Sequence, residues 1–199
     1  MKVFLQSLFI LINLFSVAIA QDLVGDGMQA YRNKDFQVAL KDFQTAAKAG
    51  KPGAQNDLGV FYARSLPHTE EKYNKAIYWF GKAIKNDVPQ ASYNLGNLYA
   101  NGQGVKRNFG TAIKYYKSAA KGNYLSAQRK LGLIYFQGRE VKRDLAQAYL
   151  FLSLASAHND TSSINLLTIV SKQMNDKELA QANLLVKQYK FSKSTRQYL

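Results

Sequence analysis

Residues 91–122 read ASYNLGNLYANGQGVKRNFGTAIKYYKSAAKG, and their pattern of small, aliphatic and aromatic residues recurs on both sides. Leu58-Gly59 returns as Leu95-Gly96 and Leu131-Gly132, at spacings of 37 and 36 residues. Three residues after each Gly stands a Tyr (Tyr62, Tyr99, Tyr135), and four before each Leu stands an Ala (Ala54, Ala91, Ala127). Two further Ala columns run through Ala39, Ala76, Ala112, Ala148 and through Ala46, Ala83, Ala119, Ala155. A fixed period of this length is the mark of a repeat array, in which each unit is one small supersecondary element.

The spacings dictate helices. Ala54, Leu58 and Tyr62 fall at i, i+4 and i+8, one stripe of an α-helix. Ala76, Phe80 and Ala83 mark a second helix, and Ala112, Tyr116, Ala119 and Ala148, Leu152, Ala155 repeat that small-large-small stripe. Gly in a helix interior costs about 1 kcal/mol against Ala, so Gly59, Gly96 and Gly132 predict close backbone approach of a neighbouring helix. Asn101–Val105 and Phe136–Val141 read as the joints within two copies. Asn108 and Asp144, each four residues before an Ala of the second helix, are natural N-caps. Gly50 and Gly122 follow second helices, where C-terminal glycines belong. A helix pair cannot bury both faces alone, and stacked copies do so together.

Ala-x3-Leu-Gly-x2-Tyr, Gly-x-Gly-Val, Asp/Asn-x3-Ala and a closing Ala-Ala-x-Gly resemble the Sel-1-like repeat, a relative of the tetratricopeptide repeat. The resemblance implies an all-α solenoid of helix pairs over roughly 22–190. Within it, 22–50 forms a tetratricopeptide-like opening pair, 54–86 a divergent repeat, 90–122 and 126–158 two fuller repeats, 162–190 C-terminal capping helices and 191–199 a tail. The divergent copy lacks Gly-x-Gly-Val, and its second helix is expected to start a turn early, capped by Thr69 with Glu70 and Glu71 at its positive end. Ser162 or Ser163 is read as the cap of the next helix, and Asn175–Glu178 as a variant capping box.

Residues 1–20 differ from the rest. Lys2, an apolar run from Val3 to Phe15 and small residues at Ala18 and Ala20 are the features of a cleaved secretory signal. The run is shorter than the roughly 20 apolar residues of a spanning helix. The expected mature chain is exported, periplasmic or secreted, of bacterial type, monomeric and without a membrane span. The formal charge of the whole chain is +14, from 27 Lys and Arg against 13 Asp and Glu, which favours anionic partners such as an envelope polymer. Nucleic acid is not an expected partner of an exported chain. There is no Cys, so disulfides are excluded.

Catalytic constellations are absent from the sequence. The two His, His68 and His158, lie far apart, and neither a Gly-x-Ser-x-Gly nor a Gly-x4-Gly-Lys motif occurs. Gly102-x-Gly104 stands between two helices and reads as a turn. No metal or cofactor is expected, and the chain reads as a non-enzymatic adaptor for a protein partner. Some cysteine-rich relatives are associated with β-lactams, but they carry a disulfide in each repeat and the association does not extend to this chain. In tetratricopeptide-like arrays the first helices face the groove, which singles out Asn94, Asn97, Arg129 and Lys130 as the candidate partner-binding residues; Asn and Arg suit backbone amides and carboxylates. Lys106, Arg107, Lys142 and Arg143 occupy one repeat phase and form a candidate basic ridge for an anionic envelope component or membrane surface.

Overall fold

The computed structural model describes residues 23–65 and 69–195, and every regular element among them is a helix. The expected signal segment and His68 lie outside the described residues. The chain divides into two compact units, one ending at Arg107 and the other beginning at Asn108.

The first unit holds α1 (23–32), α2 (Phe36–Lys48), α3 (Pro52–Ser65), α4 (Glu70–Lys85) and α5 (Pro89–Asn101). Here α3 packs against α2 and α4, and α5 packs against α4. The second unit holds α6 (Phe109–Lys121), α7 (Leu125–Gln137), α8 (Leu145–Ser156), α9 (Thr161–Ser171) and α10 (Asp176–Thr195). There α7 packs against α6 and α8, while α9 and α10 both lie on α8.

The repeat columns are the core. Ala39, Ala54, Ala76, Ala91, Ala112, Ala127 and Ala148 are all fully buried, as are Leu58, Leu131, Leu152 and Tyr116. Small side chains let the helices approach closely, and the large residue between them fills the space so created. Two of the recurrent glycines have a specific partner. A Cβ on Gly59 would lie 2.6 Å from the Phe80 ring, and one on Gly132 would lie 2.5 Å from Leu152 Cγ. The expected approach of a neighbouring backbone is therefore mainly that of a side chain: the central large residue of the second helix sits over the glycine of the first.

Helix ends repeat as faithfully as the core. Asn108 Oδ1 accepts from Thr111 N at 2.9 Å and Asp144 Oδ1 from Gln147 N at 2.9 Å. Thr69 caps α4, placing its start three residues earlier in the repeat phase than Asn108 places that of α6. After each second helix one residue turns left-handed: Gly50, Asp87, Asn123 and Asn159, with φ of 83°, 56°, 63° and 58°. Gly122 is not that residue. Its φ is −75°, and the left-handed position falls one residue later on Asn123, whose short polar side chain tolerates it. At the first three joints the following N–H closes onto the Ala column, with Lys51 N bonding Ala46 O, Val88 N Ala83 O and Tyr124 N Ala119 O. This is the six-to-one bond of a Schellman ending.

Two readings of the C-terminal region change. Asp160, rather than Ser162 or Ser163, caps α9, accepting from Ser163 N at 2.9 Å, while Ser163 is itself buried. α10 continues to Thr195, beyond residue 190, where the apolar pattern ends. The capping box at its start is present: Asn175 N donates to Glu178 Oε2 at 2.9 Å and Glu178 N to Asn175 Oδ1 at 3.0 Å.

Gly59→Ala and Gly132→Ala test the glycine seats. Helix propensity alone would stabilise each variant by about 1 kcal/mol, but overpacking against Phe80 or Leu152 costs about 1–3 kcal/mol. We expect a net loss of stability in both, read as a lowered midpoint in urea unfolding, with Gly132→Ala and Leu152→Ala together costing less than the sum of their separate losses.

Candidate functional site

α5 carries Asn94, Asn97 and Asn101 at i, i+3 and i+7, a single helical stripe. That stripe lines a cavity of about 400 Å³ in the first unit, together with Val60 and Arg64 of α3 and Gln103 of the following loop. Val60 and Arg64 hold the same repeat phases in α3 that Asn97 and Asn101 hold in α5, counted from Leu58-Gly59 and Leu95-Gly96. The wall is rich in carboxamides, each of which both donates and accepts, and Arg64 adds a cation.

The stripe is held from below. Asn94 Nδ2 donates to Asn56 Oδ1 at 3.0 Å, and Asn56 Nδ2 donates to Asp57 Oδ1 at 3.1 Å. Burial pushes the Asp57 carboxyl above its ordinary value, and the Asn56 amide pulls it partly back. Gln103 Nε2 donates to Tyr73 Oη at 3.0 Å, so the loop is anchored on α4. Gly104 lies directly on Tyr73, where a Cβ would come within 2.2 Å of Tyr73 Cβ.

In the second unit the same phases give Lys130, Leu133 and Gln137 of α7. They line a smaller cavity of about 140 Å³ with Phe109, Arg139 and Glu140. Arg129 does not line it. Its guanidinium donates to Asp160 Oδ1 at 3.0 Å, at the cap of α9. Of the four sequence candidates for the groove, Asn94 and Asn97 thus line one cavity of the first unit and Lys130 one of the second, while Arg129 braces a helix start.

The ridge residues divide in the same manner. Arg107 Nε donates to Ala100 O and Arg143 Nε to Phe136 O, each at 3.1 Å and each across seven residues. The Arg143 guanidinium also bonds Gln173 Oε1. Their backbones pack on left-handed glycines: a Cβ on Gly102 would lie 3.1 Å from Arg107 Cβ, and one on Gly138 2.7 Å from Arg143 Cβ. These arginines fold the joint back onto the end of the first helix. Lys106 and Lys142 beside them are exposed.

Sequence reasoning missed Arg64, Asn101 and Gln103. The i, i+3, i+7 spacing of three Asn was a visible signal for Asn101; Gln103 depended on the loop geometry. It also missed two buried glutamines in one repeat phase. Gln55 Nε2 donates to Ala47 O at 3.4 Å and Gln128 Nε2 to Ala120 O at 3.3 Å, each reaching back to the end of the preceding helix. Among the described residues no cluster of acidic, His or Cys side chains has metal-binding geometry, and no helix is long and apolar enough to cross a membrane.

A family model for the Sel1 repeat matches residues 52–88, 89–124 and 125–160. Over 72 residues the chain is 32% identical to the ERAD-associated E3 ubiquitin-protein ligase component HRD3A of Arabidopsis thaliana, covering 36% of this chain and 10% of that protein. Over 74 residues it is 40% identical to DAP3-binding cell death enhancer 1 of Rattus norvegicus, covering 37% of this chain and 14% of that one. The matches therefore span only about a tenth to a seventh of these relatives. Among solved structures, a protective antigen present in uropathogenic Escherichia coli strains displaying an SLR fold superposes with a TM-score of 0.68 at 34% identity, covering 77% of this chain and 32% of the other. A Sel1 repeat protein from Oxalobacter formigenes gives 0.63 at 27% identity, covering 72% and 58% respectively.

The Arg129–Asp160–Ser163 contact has a pH signature. Bonds from Ser163, with Arg129 nearby, hold the Asp160 carboxyl below its ordinary value. A lowered native pKa adds stability that is full above the unfolded pKa of about 3.9 and lost as pH falls through the native value. Asp160→Asn keeps a good cap and loses the charge, so its deficit against the natural protein should shrink between pH 6 and pH 3. Asp160→Ala also loses the cap, about 1 kcal/mol at any pH. Urea midpoints across that range read both.

Proposed function

The chain belongs to the Sel1 repeat family, and from that membership we propose that it is a non-enzymatic adaptor whose first-helix face holds a segment of a protein partner. The observation that carries this reading is the carboxamide stripe Asn94, Asn97, Asn101 opening on a cavity beside Arg64 and Gln103. An extended peptide offers N–H and C=O groups alternately, and side-chain amides meet both without regard to the partner's own side chains. Arg64 suits a carboxylate, either a side chain or a chain end.

The relatives support the class of function. One is a named component of an E3 ubiquitin-protein ligase and another is a named binder of DAP3. Lys130 holds the equivalent phase in the second unit, where it is a candidate contact of that unit's own first-helix face, and Arg129 is available to a partner only if Asp160 is displaced. We read the chain as exported from its first twenty residues, and as a monomer in its free state. The alternative of an anionic envelope polymer or membrane surface held by the ridge is weaker. Arg107 and Arg143, although exposed, spend hydrogen bonds on their own joints, which leaves Lys106 and Lys142 as the ridge's more mobile charges.

Affinity capture with the mature chain as bait tests the groove. Asn94→Ala with Asn97→Ala removes two amides, each hydrogen bond being worth about 1 kcal/mol, so recovery of the specific protein partner should fall about tenfold or more. Lys106→Gln with Lys142→Gln should leave it unchanged. Equal recovery with the Asn pair removed overturns the groove; loss of binding only in the Lys pair supports the ridge in its place.

The signal is tested separately. Expressed from its first Met in a bacterial host with a periplasm, the chain should be recovered from the periplasmic fraction starting at Gln21, as read by intact mass. Recovery in the cytoplasm at full length would contradict export.

A further inference from the structure

A second cavity, of about 480 Å³, lies wholly within the second unit, between α6, α8 and α10. It is unrelated to the repeat's first-helix face, because α6 and α8 are second helices and α10 lies outside the repeat. Leu150 and Phe151 of α8 and Leu185 of α10 give it an apolar lining, and Tyr189 of α10 adds a half-buried ring. Lys117 and Lys121 of α6 stand at its edge, at i and i+4 on one face. No lining residue is acidic.

The lining combines apolar walls with a few polar and cationic groups. The cavity's volume falls in the range of about 300–1,000 Å³ usual for small-molecule pockets, which combine apolar walls with a few polar groups. Two lysines lining an apolar floor suit a single negative head whose body is hydrocarbon, with Lys117 Nζ resting 5.6 Å from the Tyr135 ring centroid. Burial holds the Tyr189 phenol above its ordinary value, so the hydroxyl stays protonated and can donate to an anion.

We propose that this cavity binds a free monoacyl carboxylate of medium chain length, its carboxylate between Lys117 and Lys121 and its alkyl chain against Leu150, Phe151 and Leu185. The site is independent of the peptide groove, since no residue is shared.

The probe is decanoate, titrated into the full mature chain below its micelle concentration and followed by calorimetry and by two-dimensional NMR. The expected result is saturable binding of one decanoate per chain, with shift changes centred on Leu185 and Tyr189. Decanol, equal in length and uncharged, should bind about tenfold more weakly, and inorganic phosphate should not compete. Lys117→Gln with Lys121→Gln, a change confined to exposed side chains, should weaken decanoate about tenfold without altering the thermal midpoint, and Leu185→Gln should weaken decanoate and decanol alike. Absence of saturable decanoate binding overturns the proposal. Equal affinity for decanol, unchanged affinity in the double Lys variant, or shift changes located elsewhere does so as well.

Discussion

The helix pairs α3–α4 and α7–α8 depend on one contact: a large side chain of the second helix seated over the glycine of the first. Phe80 on Gly59 and Leu152 on Gly132 leave no room for a single methyl group. The flanking alanines are fully buried for the same reason, because the interhelix gap is set by the smallest residues in it. Interiors pack nearly as densely as crystals, so a helix pair fixed at that distance has one solution. Repeating the contact repeats the pair. The Schellman bonds then follow, since the carbonyls that close the joints belong to Ala46, Ala83 and Ala119, residues of the same buried column.

This explains which parts of the fold were legible in the sequence. Columns at fixed period reported the buried stripes, and Asn108, Asp144, Thr69 and the Asn175–Glu178 box reported their own helix starts through short-range chemistry. What failed was also local in cause. Gly122 looked like the turn residue because glycine is the usual one, yet the left-handed position sits on Asn123, where an amide side chain tolerates it. Ser162 and Ser163 looked like caps, but Asp160 stands earlier and is held by both Ser163 and Arg129. A pair 31 residues apart leaves no periodic trace.

The candidate site was half legible for a related reason. Asn94 and Asn97 follow from phase alone, since positions just outside a buried stripe must line the face beside it. Arg129 has the same kind of phase and goes elsewhere, because a long flexible cation takes whichever anion lies near. Arg107 and Arg143 illustrate the same limit. Their place in the repeat suggested an outward ridge, and the carbonyls of Ala100 and Phe136, seven residues back, claim their Nε–H groups. Phase tells where a side chain starts, and for Arg it does not tell where the head ends.

The two cavities divide the chain's chemistry accordingly. Packing columns cannot vary without breaking the helix pair, so recognition must use the positions between them. On α5 those positions are short amides, which the backbone alone can aim; the proposed peptide contact would use three of them on one stripe with little cost in side-chain freedom. On α6 the corresponding positions are Lys117 and Lys121, which line a cavity whose apolar side is completed by α10, a helix with no repeat counterpart. The excess of positive charge acts on both by drawing anions toward the molecule. The two cavities differ in what lies beneath: polar amides in one, hydrocarbon in the other.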